Sequence, residues 1–181
     1  MSAQLPAERE TLAARLMTVQ NNYVLGLASL ALLTAPEAIP ILQRESARFG
    51  GYDVQFGQVV ALFSNTEHRD DACRSLLIMH MCSLIKDSFE LCRHHCKIAG
   101  ELSAMQGEPW YQFCRLIRNC IAHNFLLIFS ARDITLLPLT WRGRTITHAM
   151  QGGPLPLQVF GYVEAWEMFI EIRTFAETSG V

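Results

Sequence analysis

The sequence predicts an all-α chain, a helical bundle with one small β-hairpin inserted before its last helix. Three observations predict it. Apolar residues recur at helical spacing through most of the 181 residues. Capping residues and glycine or proline stops bracket those runs. Only residues 134–150 change to a β-rich pattern, on either side of Arg142-Gly143.

Taken in order, the first helix is expected from Pro6 to about residue 33, with Pro36 as its stop. A short helix follows over residues 37–48 and ends at Gly50-Gly51. Residues 52–63 have an ambiguous period and are read as helical. Ser64, Asn65 and Thr66 supply caps, and Glu67, Asp70 and Asp71 suit the positive end of a helix dipole. The helix that begins there runs to Ile98 and stops at Gly100, roughly nine turns. Residues 101–107 are expected to be a loop. Glu108-Pro109 opens the next helix, with Pro109 in its first position, and this helix carries Trp110 to about His123. Residues 134–141 and 144–150 are the hairpin strands, with Pro138 confining the first to an edge or a bulge. Gly152-Gly153-Pro154 is a turn, and Pro156 starts a last helix with Phe160, Val163, Trp166 and Ile170 on a broad apolar face. The organisation is a single domain: N-terminal helices in 1–65, a helical pair in 66–128, the hairpin in 133–150 and a closing helix in 156–178.

At 20.4 kDa the chain is long enough to bury about 70% of its unfolded surface. Hydrophobic residues make up 50% and charged residues 18%, which excludes a disordered chain and implies apolar surface covered by a partner, as in a homodimer. A net charge of −2 excludes a global basic field, so any nucleic-acid chemistry is local. Of the basic residues only Lys86 and Lys97 are lysines; the rest are arginines, whose forks suit phosphate. Glu8 and Glu10 stand where a signal peptide is basic. The uncharged stretch 16–35 is interrupted by Gln20, Asn21 and Asn22, and is read as a buried helix end and not a membrane span. Six cysteines at no disulfide or zinc spacing read as reduced, small hydrophobes. These features together predict a cytoplasmic protein.

The informative stretch is Arg115-Leu-Ile-Arg118-Asn119-Cys-Ile-Ala-His123-Asn124. On a helix, Arg115, Arg118, Asn119 and His123 fall within an arc of about 140°, while Phe113, Leu116, Ile117, Cys120 and Ile121 take the other side. Asn119 and His123, four apart, are neighbours. No carboxylate lies between them on that face. Two guanidiniums, an amide and an imidazole suit a phosphate beside a titratable group. Those parts can drive a ribose 2′-hydroxyl onto its own 3′-phosphate without a metal. An amphipathic helix with a solvated polar face has the same periodicity.

The segment Arg118-Asn-Cys-Ile-Ala-His123 resembles the arginine-to-histidine motif of the HEPN superfamily (higher eukaryotes and prokaryotes nucleotide-binding), in which the residue after the arginine is typically polar, as Asn119 is. The resemblance covers residues 66–128 and, more loosely, the closing helix. It implies an all-α, HEPN-like homodimer with two motifs facing each other, and a metal-independent endoribonuclease, often a toxin or defence effector, that needs no cofactor. It assigns Arg118 to phosphate binding, His123 to acid or base work and Asn119 to orienting them. Arg115, outside the family motif, joins as a substrate-binding residue from the helical wheel alone. Partners implied are an RNA substrate and an antitoxin or nucleotidyltransferase. Some members carry a modifiable tyrosine two residues after the histidine; Phe125 stands there in this chain. The alternative reading is a catalytically silent HEPN dimer that binds nucleotides or proteins. A reading from another class is a helical bundle whose arginine face holds a small phosphorylated ligand.

Other signals are weaker. Cys92, His95 and Cys96 share a helix, but a structural zinc needs four ligands and no second pair has the spacing. His80 reads as a core histidine. Arg142, Arg144 and His148 offer RNA contacts or simply a solvated hairpin tip. Trp110 and Tyr111 offer base stacking, against a stronger expectation of core packing.

Overall fold

The computed structural model describes residues 11–179. The opening of the first helix at Pro6 lies outside them. The chain is mostly helical, with two small hairpins, and forms two compact units. One holds the chain up to Gln20 and everything from Met81 onward; the other is Asn21–His80. Helix α1 (Leu12–Leu33) and helix α4 (Thr66–Ala99) each run through both.

In α1 the large buried side chains are Leu12, Leu16, Val19, Tyr23 and Leu30, and with buried Gly26 they form a stripe at alternating four- and three-residue spacing. Val24, Leu25 and Leu32 are exposed. The expected burial of this helix therefore holds for one stripe. The helix is long and apolar enough to cross a membrane by length and composition.

Unit 21–80 departs most from the expected elements. The helix read over 37–48 is only α2 (Ala38–Leu42). Strands β1 (Ser46–Phe49) and β2 (Tyr52–Gln55) then pair antiparallel, with Phe49 opposite Tyr52. Gly50-Gly51 is the two-residue connection of a hairpin, and Gly50 takes φ 60°, which glycine adopts without strain. Helix α3 (Gly57–Phe63) occupies only the end of the segment read as helical.

Gly26 faces His80 within this unit. A Cβ there would lie 2.4 Å from the imidazole. Glycine-to-alanine inside a helix ordinarily stabilises by about 0.5–1 kcal/mol. Here the half-buried His80 ring must turn aside, which offsets that gain, and Gly26→Ala is expected to raise Tm by less than a helical alanine ordinarily does, which thermal unfolding measures.

The larger unit carries the motif. In α4 the acidic start and the stop at Gly100 (φ 80°) match the expected signals, and the Glu101 amide closes the turn on the Cys96 carbonyl at 2.8 Å. Residues 102–107, expected as loop, form the short helix α5 (Leu102–Gly107), held by fully buried Met105. Helix α6 (Tyr111–Ala122) begins two residues after Pro109, with Trp110 at its N-cap. Phe113, Cys114, Leu116, Ile117 and Cys120 bury one face of α6. Across it, Phe89 of α4 meets Tyr111, and Phe113 meets Trp141 and Phe160, with ring centroids 5.5–6.3 Å apart.

Helix α7 (Ala131–Ile134) ends on the first residue of the segment expected as the first hairpin strand, 134–141. Strands β3 (Leu139–Trp141) and β4 (Arg144–Ile146) then pair around Arg142-Gly143, just after Pro138, and are shorter than expected. Helix α8 (Tyr162–Thr178) starts six residues later than Pro156. Its real signal is Glu164, whose carboxylate accepts the Gly161 amide at 3.0 Å. The hairpin is pinned to α8 by charge. Arg142 and the Trp141 indole donate to Glu171, and Arg144 pairs with Glu164.

Candidate functional site

The apolar face of α6 packs inward, so its polar face is left outside, as the spacing requires. Arg115, Arg118 and Asn119 are half-buried and line a concavity of about 270 Å³ together with Phe89, Glu90, Arg93 and Tyr111. Three guanidiniums thus converge on a space large enough for a phosphate group.

Carboxylates from other elements enter this face, which the helical wheel of α6 could not show. Glu90 of α4 bridges two arginines: one oxygen pairs with Arg118 Nη2 at 2.5 Å, the other with Arg93 Nη2 at 2.8 Å and Nε at 3.1 Å. Arg118 Nη1 also donates to the Asn119 amide oxygen at 3.2 Å. Arg118 Nε is buried and has no acceptor among the described residues. A buried donor without a partner is costly.

Arg115 is committed elsewhere. Its Nε donates to Gln112 at 2.9 Å and its Nη2 pairs with Asp133 at 2.5 Å. Asp133 is buried and closes a capping box with Ser130 at the start of α7. Burial opposes the charged carboxylate, but hydrogen bonds from Ser130 and Arg115 outweigh it and hold Asp133 below the usual carboxylate range. Arg115 lines the cavity as a wall, braced from α7.

His123 stands apart from the cavity lining. Helix α6 ends at Ala122, and His123 is its exposed C-cap. Asn124 (φ 55°) and Phe125 (φ 63°) then take left-handed conformations. Such a conformation is uncommon for an aromatic residue, and strain of this kind clusters at functional sites. Backbone bonds fix the turn: the Phe125 amide reaches Cys120 O at 2.9 Å, and Phe125 O accepts from Leu155 at 2.8 Å. The main chain thus fixes the position of His123 at the C-terminal end of α6.

The remaining signals resolve as packing. Trp110 and Tyr111 are buried, not stacking platforms on the surface. Arg142 and Arg144 are paired to α8, and His148 reaches the Ile134 carbonyl. Cys92, Cys96, Cys114 and Cys120 are buried free thiols, and burial pushes Cys120 up to about 11. Among the described residues no group of three or more His, Cys, Asp or Glu side chains is arranged to hold a metal ion. Sequence reasoning missed Glu90 and Arg93. Their only local trace is an acid and a base three apart on α4. Comparison with family models, curated proteins and solved structures finds no match for this chain.

Proposed function

We propose that the chain is a metal-independent endoribonuclease of HEPN type, working as a homodimer in the cytoplasm, with a role as a toxin or defence effector held in check by a partner such as an antitoxin. The observation that carries this reading is the cavity beside α6, where Arg93, Arg115 and Arg118 converge on a space large enough for a phosphate. Arg118 and Arg93 take the oxygens of the scissile phosphate, and Asn119 holds the Arg118 fork in place. His123 lies outside the cavity lining, one turn along the chain from Asn119, so in this reading the RNA strand runs from the cavity to the end of α6, where the imidazole removes the proton from the 2′-hydroxyl. The 2′ oxygen forms its bond to phosphorus, the bond to the 5′ oxygen breaks, and that oxygen takes a proton. A second copy supplies the second imidazole, so that acid and base are separate groups. The products are a 2′,3′-cyclic phosphate and a 5′-hydroxyl.

Chelation tests the metal-independent step. RNA cleavage is expected to persist in EDTA, because arginine supplies the charge and histidine the proton transfer. Loss of cleavage in EDTA with recovery on adding a divalent ion would overturn the mechanism.

The position of His123, exposed and outside the cavity lining, favours a second reading, a silent HEPN module that binds nucleotides or proteins.

A further inference from the structure

We infer that Glu90 sets the charge of the cavity so that it selects a phosphodiester over a phosphomonoester. The inference rests on the phosphate-binding reading above. Arg115 is neutralised by Asp133. Arg93 and Arg118 then face the single carboxylate of Glu90, which leaves a net charge of +1. An internucleotide phosphate carries one negative charge, whereas a terminal phosphate carries close to two at neutral pH. A +1 cavity balances the first and leaves the second with excess negative charge beside Glu90.

Position supports the same role. Glu90 and Arg93 also line a neighbouring concavity of about 500 Å³ with Arg15, Asp87, Leu91 and His94, all in the same unit. The Glu90–Arg93 pair therefore borders both spaces. A strand whose diester sits at Arg118 has room to continue past it over α4, and a terminal phosphate gains nothing from that extension. Glu90 is a specificity-determining residue that acts through the two arginines it bridges.

The test uses the full chain carrying His123→Ala, so that RNA is bound and not cut. Adenylyl-3′,5′-adenosine and adenosine 3′-monophosphate are titrated separately at about pH 7.5, where the monoester is dianionic. The parent is expected to bind the diester at least as tightly as the monoester. Adding Glu90→Gln is expected to tighten the monoester about threefold to tenfold more than the diester. Adding Arg93→Gln, at a more exposed position, is expected to move the ratio the opposite way. A merely structural role for Glu90 would move both ligands equally. An unchanged ratio in both variants, or equal weakening of both ligands by Glu90→Gln, would overturn the inference. A parent that binds neither ligand would remove the phosphate-site reading itself, and this inference with it.

Discussion

Replacing His123 with alanine is expected to lower RNA cleavage by about 10²–10⁴, the usual contribution of a positioned acid–base group. The imidazole is exposed at the end of α6, and the backbone of the following turn, not the ring, holds that end together. Stability is therefore expected to stay within about 0.5 kcal/mol of the parent. Arg118→Ala is expected to do comparable damage to cleavage, because it removes charge where charge develops on the phosphate. Arg118→Lys is expected to recover little. An ammonium cannot donate to a phosphate, to Asn119 and to Glu90 in one plane as the guanidinium fork does. Cleavage rates measured beside thermal unfolding check both claims. Loss of cleavage that tracks unfolding would mean that this face of the helix is structural.

The second large effect is on stability. Asp133→Asn is expected to destabilise the protein by about 2–4 kcal/mol, because it leaves the Arg115 guanidinium partly buried without its counter-charge and weakens the α7 capping box. For a chain of this size that is roughly 5–15 °C in Tm. The pH dependence has a definite sign. Asp133 sits below the usual carboxylate range in the folded state, so its contribution is present above the ordinary carboxylate pKa and is lost as pH falls through the folded value. Unfolding curves are expected to show the parent losing this stability only below the ordinary carboxylate pKa, as pH falls toward the folded value, and Asp133→Asn losing less over the same range. Arg115→Ala is expected to shift stability in the same direction as Asp133→Asn. A stable Arg115→Ala protein with weakened RNA binding would instead make Arg115 a direct phosphate ligand.

The elements that the sequence announces are those with redundant local signals. Helix α4 has caps, acidic first-turn residues and a glycine stop, and it spans Thr66–Ala99. The division of α6 into an apolar and a polar face follows from spacing alone, and Phe113, Leu116, Ile117 and Cys120 are buried accordingly. The hairpin at Arg142-Gly143 was visible because two β-rich runs flank two turn residues. The hairpin at Gly50-Gly51 carried the same kind of signal, but glycine ends helices as readily as it turns strands, and the exposed strands Ser46–Phe49 and Tyr52–Gln55 lack a buried face to reveal their period. Pro109 and Pro156 are compatible with a helix start but do not compel one. The site was half legible. Arg118, Asn119 and His123 lie within one segment, whereas their environment comes from afar: Glu90 is set by how α4 packs, and Asp133 lies 18 residues beyond Arg115. Tertiary partners of that kind leave no periodic trace.

Analysis of the ends of cleaved RNA tests the central claim most directly. Wild-type protein in EDTA is expected to yield fragments with 2′,3′-cyclic phosphate and 5′-hydroxyl ends and to leave DNA of the same sequence intact, because the ribose hydroxyl is the nucleophile. His123→Ala and Arg118→Ala, folded as the parent is, are expected to leave the RNA uncut. Equal cleavage by all three proteins, cleavage of the DNA, or fragments with 3′-hydroxyl and 5′-phosphate ends would contradict the account.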